Sequence, residues 1–254
     1  MDFNRVVEIV KGADRIIFDE KALHQTITKG YMDYATGVDV GVQKYVTEEL
    51  HKLYPDIQMK GEEGKKETLD YKKPMWILDP IDGTNNLIAH MNLSAVSLAY
   101  CVDGEILAGV IYNPFNKELF TAEKGKGAYL NGERIHVSDA PDISRCMVSF
   151  GTNPYERDKA AETFDSVRKI FLKCIDVRRL GTASIDMAYV ACGKSGAFYE
   201  QNLKPWDYAA GVIVVQEAGG TVTDMKGEKI LFDRPCSVLA DNGKVHEEML
   251  ELLK

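Results

Sequence analysis

An α+β fold of layered sheets and helices is predicted by three features of the 254-residue chain. Strand-like runs punctuated by hairpin turns fill residues 94–135. Helix and strand patterns alternate from about residue 146 onward, and no Pro/Gly/Ser-rich linker separates the two regions. Elements in that order bury their apolar faces by stacking sheets and helices on one another. With no linker, low-complexity tract or repeat, the expected organisation is one domain over residues 1–254.

Taken in order, residues 2–23 read as a first helix. A second spans 36–53, with Val42, Val46, Leu50 and Leu53 on one face at spacings of four, four and three. Pro55 stops it. A strand at 57–60 runs into the charged stretch 61–73, which is too polar for a core and is expected to be a loop. Residues 75–78 form an apolar run ending at Asp79-Pro80, the pattern of a buried strand followed by a turn. SAVSLAYCV, EILAGVIY and ELFTAEKG then read as strands, with hairpin signals at Asp103-Gly104, Asn113-Pro114 and Asn131-Gly132. Residues 146–150 form another strand. An amphipathic helix follows at 157–174, with Ala160, Phe164, Val167 and Phe171 expected on its buried face. Helices at 182–192, 206–218 and 243–253 are interleaved with strands at 196–200, 220–224 and 237–241.

The composition narrows the function. At 28.4 kDa, folding buries about 70% of the extended chain's surface, enough for a core without staples. No run of 18 uncharged apolar residues exists, so no membrane span is expected. The first residues lack a signal peptide's apolar stretch, and a soluble, cytoplasmic protein is expected. The five cysteines form no CxxC pair and read as small buried hydrophobes, and the five histidines form no zinc pattern. With 31 basic and 39 acidic side chains the net charge is −8. That balance argues against a nucleic-acid partner, which selects a basic surface. An anionic substrate would have to be attracted by something other than net charge.

The chemistry concentrates in Asp79-Pro80-Ile81-Asp82-Gly83-Thr84. A buried strand here delivers two carboxylates, three residues apart, into a turn. Pro80 fixes φ and cannot donate a hydrogen bond. Two hard oxygen ligands held so close suit a divalent cation such as Mg²⁺, although capping of a turn is the simpler use of such aspartates. Gly83 lets backbone approach a ligand, and Thr84 is placed to cap a short helix whose free N–H groups could cradle phosphate. Other acids can join this pair. Glu62 and Glu63 end a predicted strand, and Asp207 is read as the N-cap of the helix that follows it. Asp33, Thr36 and Asp39 surround the start of the second helix.

Together these segments resemble the inositol monophosphatase family of Mg²⁺-dependent, lithium-sensitive phosphatases. The resemblance spans nearly the whole chain: Asp33 to Asp39, GEE at 61–63, DPIDGT at 79–84, LGTAS at 180–184, Tyr199-Glu200 and WDYAAG at 206–211. KGKGAYLNGERIHVS at 124–138 is also similar. The resemblance implies an αβαβα sugar-phosphatase fold, a homodimer and two to three Mg²⁺ ions per site. It places the first metal on Glu62, Asp79 and the Ile81 carbonyl, and the second on Asp79, Asp82 and Asp207. Glu62 would help to hold a third. Gly83 and Thr84 would offer amides to the phosphate, and Thr84, polarised by Asp39, would orient the attacking water together with Glu62. Asp82, Ala183 and Glu200, with Gly181 and Thr182 beside them, would meet the polyol.

Four departures from the family pattern stand out. Tyr34-Ala35 replaces the usual pair between Asp33 and Thr36, Gly64 follows GEE, Asn85 and Leu87 follow DGT, and Lys29 lies one residue out of register with a family lysine. The implied reaction is hydrolysis of an inositol monophosphate, a small-molecule phosphomonoester. The same chemistry on fructose 1,6-bisphosphate, a phosphoadenosine nucleotide or another sugar or polyol phosphate is the alternative. A second phosphate would need a cationic subsite, for which Arg157, Lys159, Arg178 and Arg179 are candidates. A non-catalytic binding protein would show a lost ligand, whereas Glu62, Asp79, Asp82, Thr84 and Asp207 are all present. Because Glu62 lies at its edge, the 61–73 loop is expected to become more ordered as metal binds.

Overall fold

Side-chain alternation along the central strands determines the layers. In a computed structural model of the chain, Met75 and Ile77 point into one apolar cluster and Trp76 and Leu78 into another. A strand buried on both faces must lie between two helical layers. The structure describes all residues except 31–32, 65–67 and 155–156, and of Asp33 only the backbone.

The outer layer begins with α1 (Phe3–Lys11), α2 (Asp14–Ile17) and α3 (Glu20–Leu23), where one continuous helix was expected. The first break is at Gly12, where a Cβ would stand 2.1 Å from the Tyr45 hydroxyl oxygen. The second is at Asp19, whose carboxylate accepts from Lys21 N at 2.9 Å and starts a new helix. An antiparallel hairpin follows, β1 (Thr26–Gly30) and β2 (Asp33–Thr36). Its first strand is exposed throughout, so no burial alternation marked it in the sequence. Helix α4 (Gly37–Leu53) buries Val38, Val42, Val46 and Leu50, while Leu53, expected on that face, is 43% exposed.

The seven-stranded sheet runs in sequence order: β3 (Gln58–Gly61), β4 (Met75–Asp82), β5 (Ala95–Val102), β6 (Glu105–Asn113), β7 (Glu118–Glu123), β8 (Gly127–Leu130) and β9 (Glu133–Ile135). Only β3 and β4 pair in parallel. Part of the expected 61–73 loop, residues 65–67, lies outside the described residues. A short helix, α5 (Thr84–Ile88), follows β4.

The second half forms β10 (Met147–Phe150), α6 (Ala160–Phe171), β11 (Asp176–Arg178), α7 (Ala183–Ala191), β12 (Ala197–Leu203), α8 (Pro205–Glu217), β13 (Thr221–Thr223), β14 (Cys236–Asp241) and α9 (His246–Leu252). Its five strands lie in the order β11-β10-β12-β14-β13. Helices α7 and α8 pack between the two sheets, and α6 and α9 cover the far side. The layers therefore run helix, sheet, helix, sheet, helix, as expected. Among the described residues no helix is long and apolar enough to cross a membrane.

On α6 the buried face differs from the one its hydropathy predicts. Helix α6 turns Thr163, Ser166 and Ile170 inward and leaves Phe164 and Phe171 57% and 52% exposed. Hydropathy periodicity locates the stripe of large apolar residues, but here a stripe with two small polar side chains lies against the sheet.

Helix α8 sits on the backbone of β6. A Cβ at Gly109 would lie 2.5 Å from Ile213 Cγ2 and 3.0 Å from the Ala210 carbonyl oxygen. Gly109→Ala should therefore destabilise the fold by about 1–3 kcal/mol through overpacking. Urea unfolding measures this, and an unchanged midpoint would show that the helix can move away at no cost.

Candidate active site

Strand β4 does not turn at Asp79-Pro80, as the sequence suggested, but continues to Asp82 with one residue inserted. Asp79 pairs with Ser97 and Asp82 with Ala95, so three steps on β4 match two on β5. Pro80 has no N–H for a ladder bond, and a bulge accommodates it. Strict alternation would put Asp79 and Asp82 on opposite faces. The extra residue re-phases the strand, so Asp79 follows Met75 and Ile77 while Asp82 also reaches the helix layer. Ile81 packs on the other side, toward α4.

Each of the three aspartates Asp79, Asp82 and Asp207 is held by a main-chain amide. Asp79 accepts from Ile81 N at 3.0 Å, Asp82 from Ser184 N in the first turn of α7 at 2.6 Å, and Asp207 from Lys204 N at 2.7 Å. Asp207 is not the N-cap expected from the sequence. Helix α8 starts earlier, at Pro205, with Lys204 as cap and Asp207 as its third residue. Helix α4 repeats the device: Asp39 takes both the amide (2.7 Å) and the hydroxyl (2.6 Å) of its N-cap, Thr36. The other oxygen of Asp39 accepts from the Thr84 hydroxyl at 2.7 Å. Thr84 is the first residue of α5, whose cap is Gly83. Only glycine suits that cap, since its φ is +87° and a Cβ would meet Thr182 Oγ1 at 2.3 Å.

These side chains converge on a cavity of about 400 Å³. Lys29, Glu62, Asp79, Ile81, Asp82, Gly83 and Thr84 line one side, and Gly181, Ala183, Glu200 and Asp207 the other. Thr182 and Asp39 do not line it. Thr182 is buried with its hydroxyl donating to the Leu93 carbonyl at 2.5 Å, and Asp39 acts through Thr84. The hairpin brings Lys29 onto Glu62 at 2.8 Å and onto Glu63. Burial opposes its ammonium, but the two glutamates outweigh that and hold it above its ordinary value. The one-residue offset seen in the sequence thus leaves Lys29 in the cavity. Of the four basic candidates for a second subsite, Arg179 is the one among the lining residues, while Arg178 is engaged with Asp176 and the Val177 carbonyl. Tyr34, Lys204 and Trp206 also line the cavity and were not anticipated. The adjacency of Lys204 and Trp206 to Asp207 was the signal available for two of them.

The electrostatics are those of a buried acidic cluster. Burial raises Asp79 well above the carboxylate range, and Glu62, Asp82 and Asp207 raise it further. Burial lifts Asp82 to about 6 against the opposing hydrogen bonds of Ser184, and Asp207 is likewise raised by burial and by Asp82. Glu200 reaches about 7, chiefly through burial, while the Asn153 amide holds it at 3.1 Å. Among the described residues no three such side chains form a closed metal cage. Glu62 is drawn to Lys29, and Asp82 and Asp207 each give an oxygen to an amide. The donor set nevertheless fits a hard divalent cation: several buried carboxylate oxygens repel one another in one cavity.

A cation that binds there should stabilise the fold. Mg²⁺ at a hundred times its dissociation constant adds about 2.7 kcal/mol, which corresponds to about 5–10 °C in Tm for a chain of this size. Asp79→Asn removes a repelling charge, so without divalent cations it should be at least as stable as the wild type yet gain little from Mg²⁺. A full Mg²⁺ increment in that variant, measured by thermal unfolding, would count against metal binding at Asp79.

Comparison with known proteins places the chain in a family. The chain is 36% identical over 259 residues to a Nus factor SuhB of Xylella fastidiosa, covering 98% of this chain and 93% of that protein. It is 36% identical over 225 residues to a fructose-1,6-bisphosphatase/inositol-1-monophosphatase of Thermotoga maritima, covering 88% and 84%. The crystal structure of extragenic suppressor protein suhB from Bartonella henselae matches with a TM-score of 0.93 at 35% identity, covering 99% of this chain and 98% of that one. Residues 4–254 match the family model described as the inositol monophosphatase family, and the chain belongs to that family.

Proposed function

We propose that the chain is a Mg²⁺-dependent phosphomonoesterase that hydrolyses inositol monophosphate by direct attack of water. The observation that carries this reading is the convergence of Glu62, Asp79, Asp82 and Asp207 on the cavity that Thr84 also lines. Glu62, Asp79, the Ile81 carbonyl, Asp82 and Asp207 are the groups that would hold two or three ions, with Asp79 shared. Bound cations supply neutralisation of the phosphate oxygens and lower the pKa of an attacking water.

The chain's own groups do the positioning. Thr84 donates its hydroxyl proton to Asp39, so the lone pairs of Thr84 Oγ1 remain to accept from a water. Asp39 cannot swing away, because Thr36 holds its second oxygen twice. Glu62 is the second acceptor for that water. Gly83 and Thr84 offer amides to the phosphate at the start of α5. Across the cavity, Glu200 accepts hydrogen bonds from polyol hydroxyls, with Asp82, Gly181 and Ala183 around the ring and Thr182 behind them. No covalent enzyme intermediate is needed.

The Thermotoga relative's name supports keeping sugar bisphosphates as alternative substrates. The Xylella relative's name, Nus factor, supports a second reading, in which the chain also works through a macromolecular partner. At a net charge of −8, such a partner would be recognised otherwise than by a basic surface on this chain. A catalytically dead variant that kept this second role would separate the two.

Phosphate release from inositol 1-phosphate, glycerol 2-phosphate and a phosphoadenosine bisphosphate should require Mg²⁺, fall with added Li⁺ and be greatest on the inositol ester. Asp79→Asn should lower it by several orders of magnitude while the protein stays folded. Near-normal turnover by a folded Asp79→Asn variant would falsify the shared-ligand assignment, and preference for another ester would overturn only the reading of Glu200.

A further inference from the structure

Two walls face each other across the cavity, and a buried carboxamide behind them ties one to the other. Asn86 lies on α5, is 4% exposed and does not line the cavity. Its amide nitrogen donates to the Leu93 carbonyl at 2.8 Å, the Leu180 carbonyl at 2.8 Å and Thr182 Oγ1 at 3.0 Å. Thr182 gives its own hydroxyl proton to the Leu93 carbonyl, which leaves its oxygen to accept from Asn86. Three acceptors around one nitrogen determine which way the carboxamide points. Gly181 lies against its other side, where a Cβ would come within 3.4 Å of Asn86 Oδ1.

Leu180 and Thr182 belong to the segment that delivers Gly181 and Ala183 to the cavity. Asn86 therefore joins the turn of Gly83 and Thr84, the phosphate end, to the wall at the polyol end. The bond from Ser184 N to Asp82 also crosses between the two walls. Asp82 is one of the acids assigned to metal, whereas the neutral carboxamide keeps its hydrogen bonds whatever the charge on those acids. The turn has anchors of its own: Ser94 Oγ donates to the Gly83 carbonyl at 2.9 Å, and Thr84 to Asp39. Loss of the carboxamide would thus free the 180–183 segment relative to a turn that stays in place. We propose that Asn86 is a positioning residue that sets the separation between the phosphate-facing turn and the polyol-facing segment. The assignment rests on the phosphatase reading above and adds to it a determinant of substrate choice.

Inositol 1-phosphate reaches both walls, whereas 4-nitrophenyl phosphate has no hydroxyl for the far one. A misplacement of about 1 Å can cost about a hundredfold in rate, so Asn86→Ala should lower kcat/KM on the inositol ester at least about tenfold more than on the nitrophenyl ester. The variant should keep the wild-type Mg²⁺ increment in Tm, because the hydrogen bonds of Asn86 go to none of the acids. Thr182→Val, which cuts the clamp from the other wall, should show the same split. A smaller difference between the esters, or a lost Mg²⁺ increment, would overturn the assignment. So would failure of both variants to fold, which would make the clamp an element of stability alone. If the wild type releases phosphate from neither ester, the phosphatase reading fails instead. Calorimetry with Mg²⁺ then compares inositol 1-phosphate with inorganic phosphate. A loss of affinity in Asn86→Ala confined to the inositol ester upholds the clamp; equal losses, or no binding of either by the wild type, overturn it.

Discussion

Like charges confined in one buried cleft are the constraint around which this molecule is arranged. Burial raises the proton affinity of Asp79, Asp82 and Asp207, and neighbouring carboxylates add to it: Glu62, Asp82 and Asp207 on Asp79, Glu62 on Asp82, and Asp82 and Glu62 on Asp207. The chain answers with oriented peptide dipoles. Two of the amides that hold these acids come from the starts of α7 and α8, and the start of α4 holds Asp39 in the same way. A helix start carries partial positive charge that offsets a nearby carboxylate without adding a competing cation. The sheet strand contributes the remaining device, a bulge at Pro80 that turns two aspartates to one side.

That arrangement depends on the stacking of layers. Glu62, Asp79 and Asp82 come from the seven-stranded sheet or its edge, Glu200 from the five-stranded sheet, and Asp207 from the helix between them. Helix α8 must lie close to both neighbours for the set to meet. Gly109 admits it to the sheet, and Gly211 admits the Met187 side chain of α7, whose sulfur would be 2.5 Å from a Cβ there. These two glycines thus act on the site at a distance, by setting how far apart its two walls stand.

Much of this was legible because the informative residues are contiguous. Asp79 to Thr84 announce a buried strand and a glycine before a short helix in six residues, although the turn expected at Pro80 is a bulge, and the segment with Trp206-Asp207 carries the family resemblance. Properties that depend on partners far along the chain were not legible. The split of the first helix follows from Tyr45 crossing Gly12, a contact 33 residues away. The β1–β2 hairpin lacks a buried face, so its pattern carried no period. Phe164 and Phe171 formed a convincing apolar stripe, yet the sheet selected the stripe beside it. Among four basic residues near the site in sequence, charge alone could not tell Arg179 from its neighbour Arg178, because adjacent residues in an extended segment point in opposite directions.

The use of main-chain amides to hold the acids bears on how such a protein diversifies. A hydrogen bond from the backbone of Ile81, Ser184 or Lys204 makes no demand on the side chain there and is lost outright only to proline. At Lys204, which lines the cavity, the side chain can therefore change, and with it the shape and polarity of the wall there, while Asp207 keeps its aim. A lineage built this way can exchange one phosphate ester for another through ordinary substitutions, without passing through a form whose hydrolytic centre has come apart.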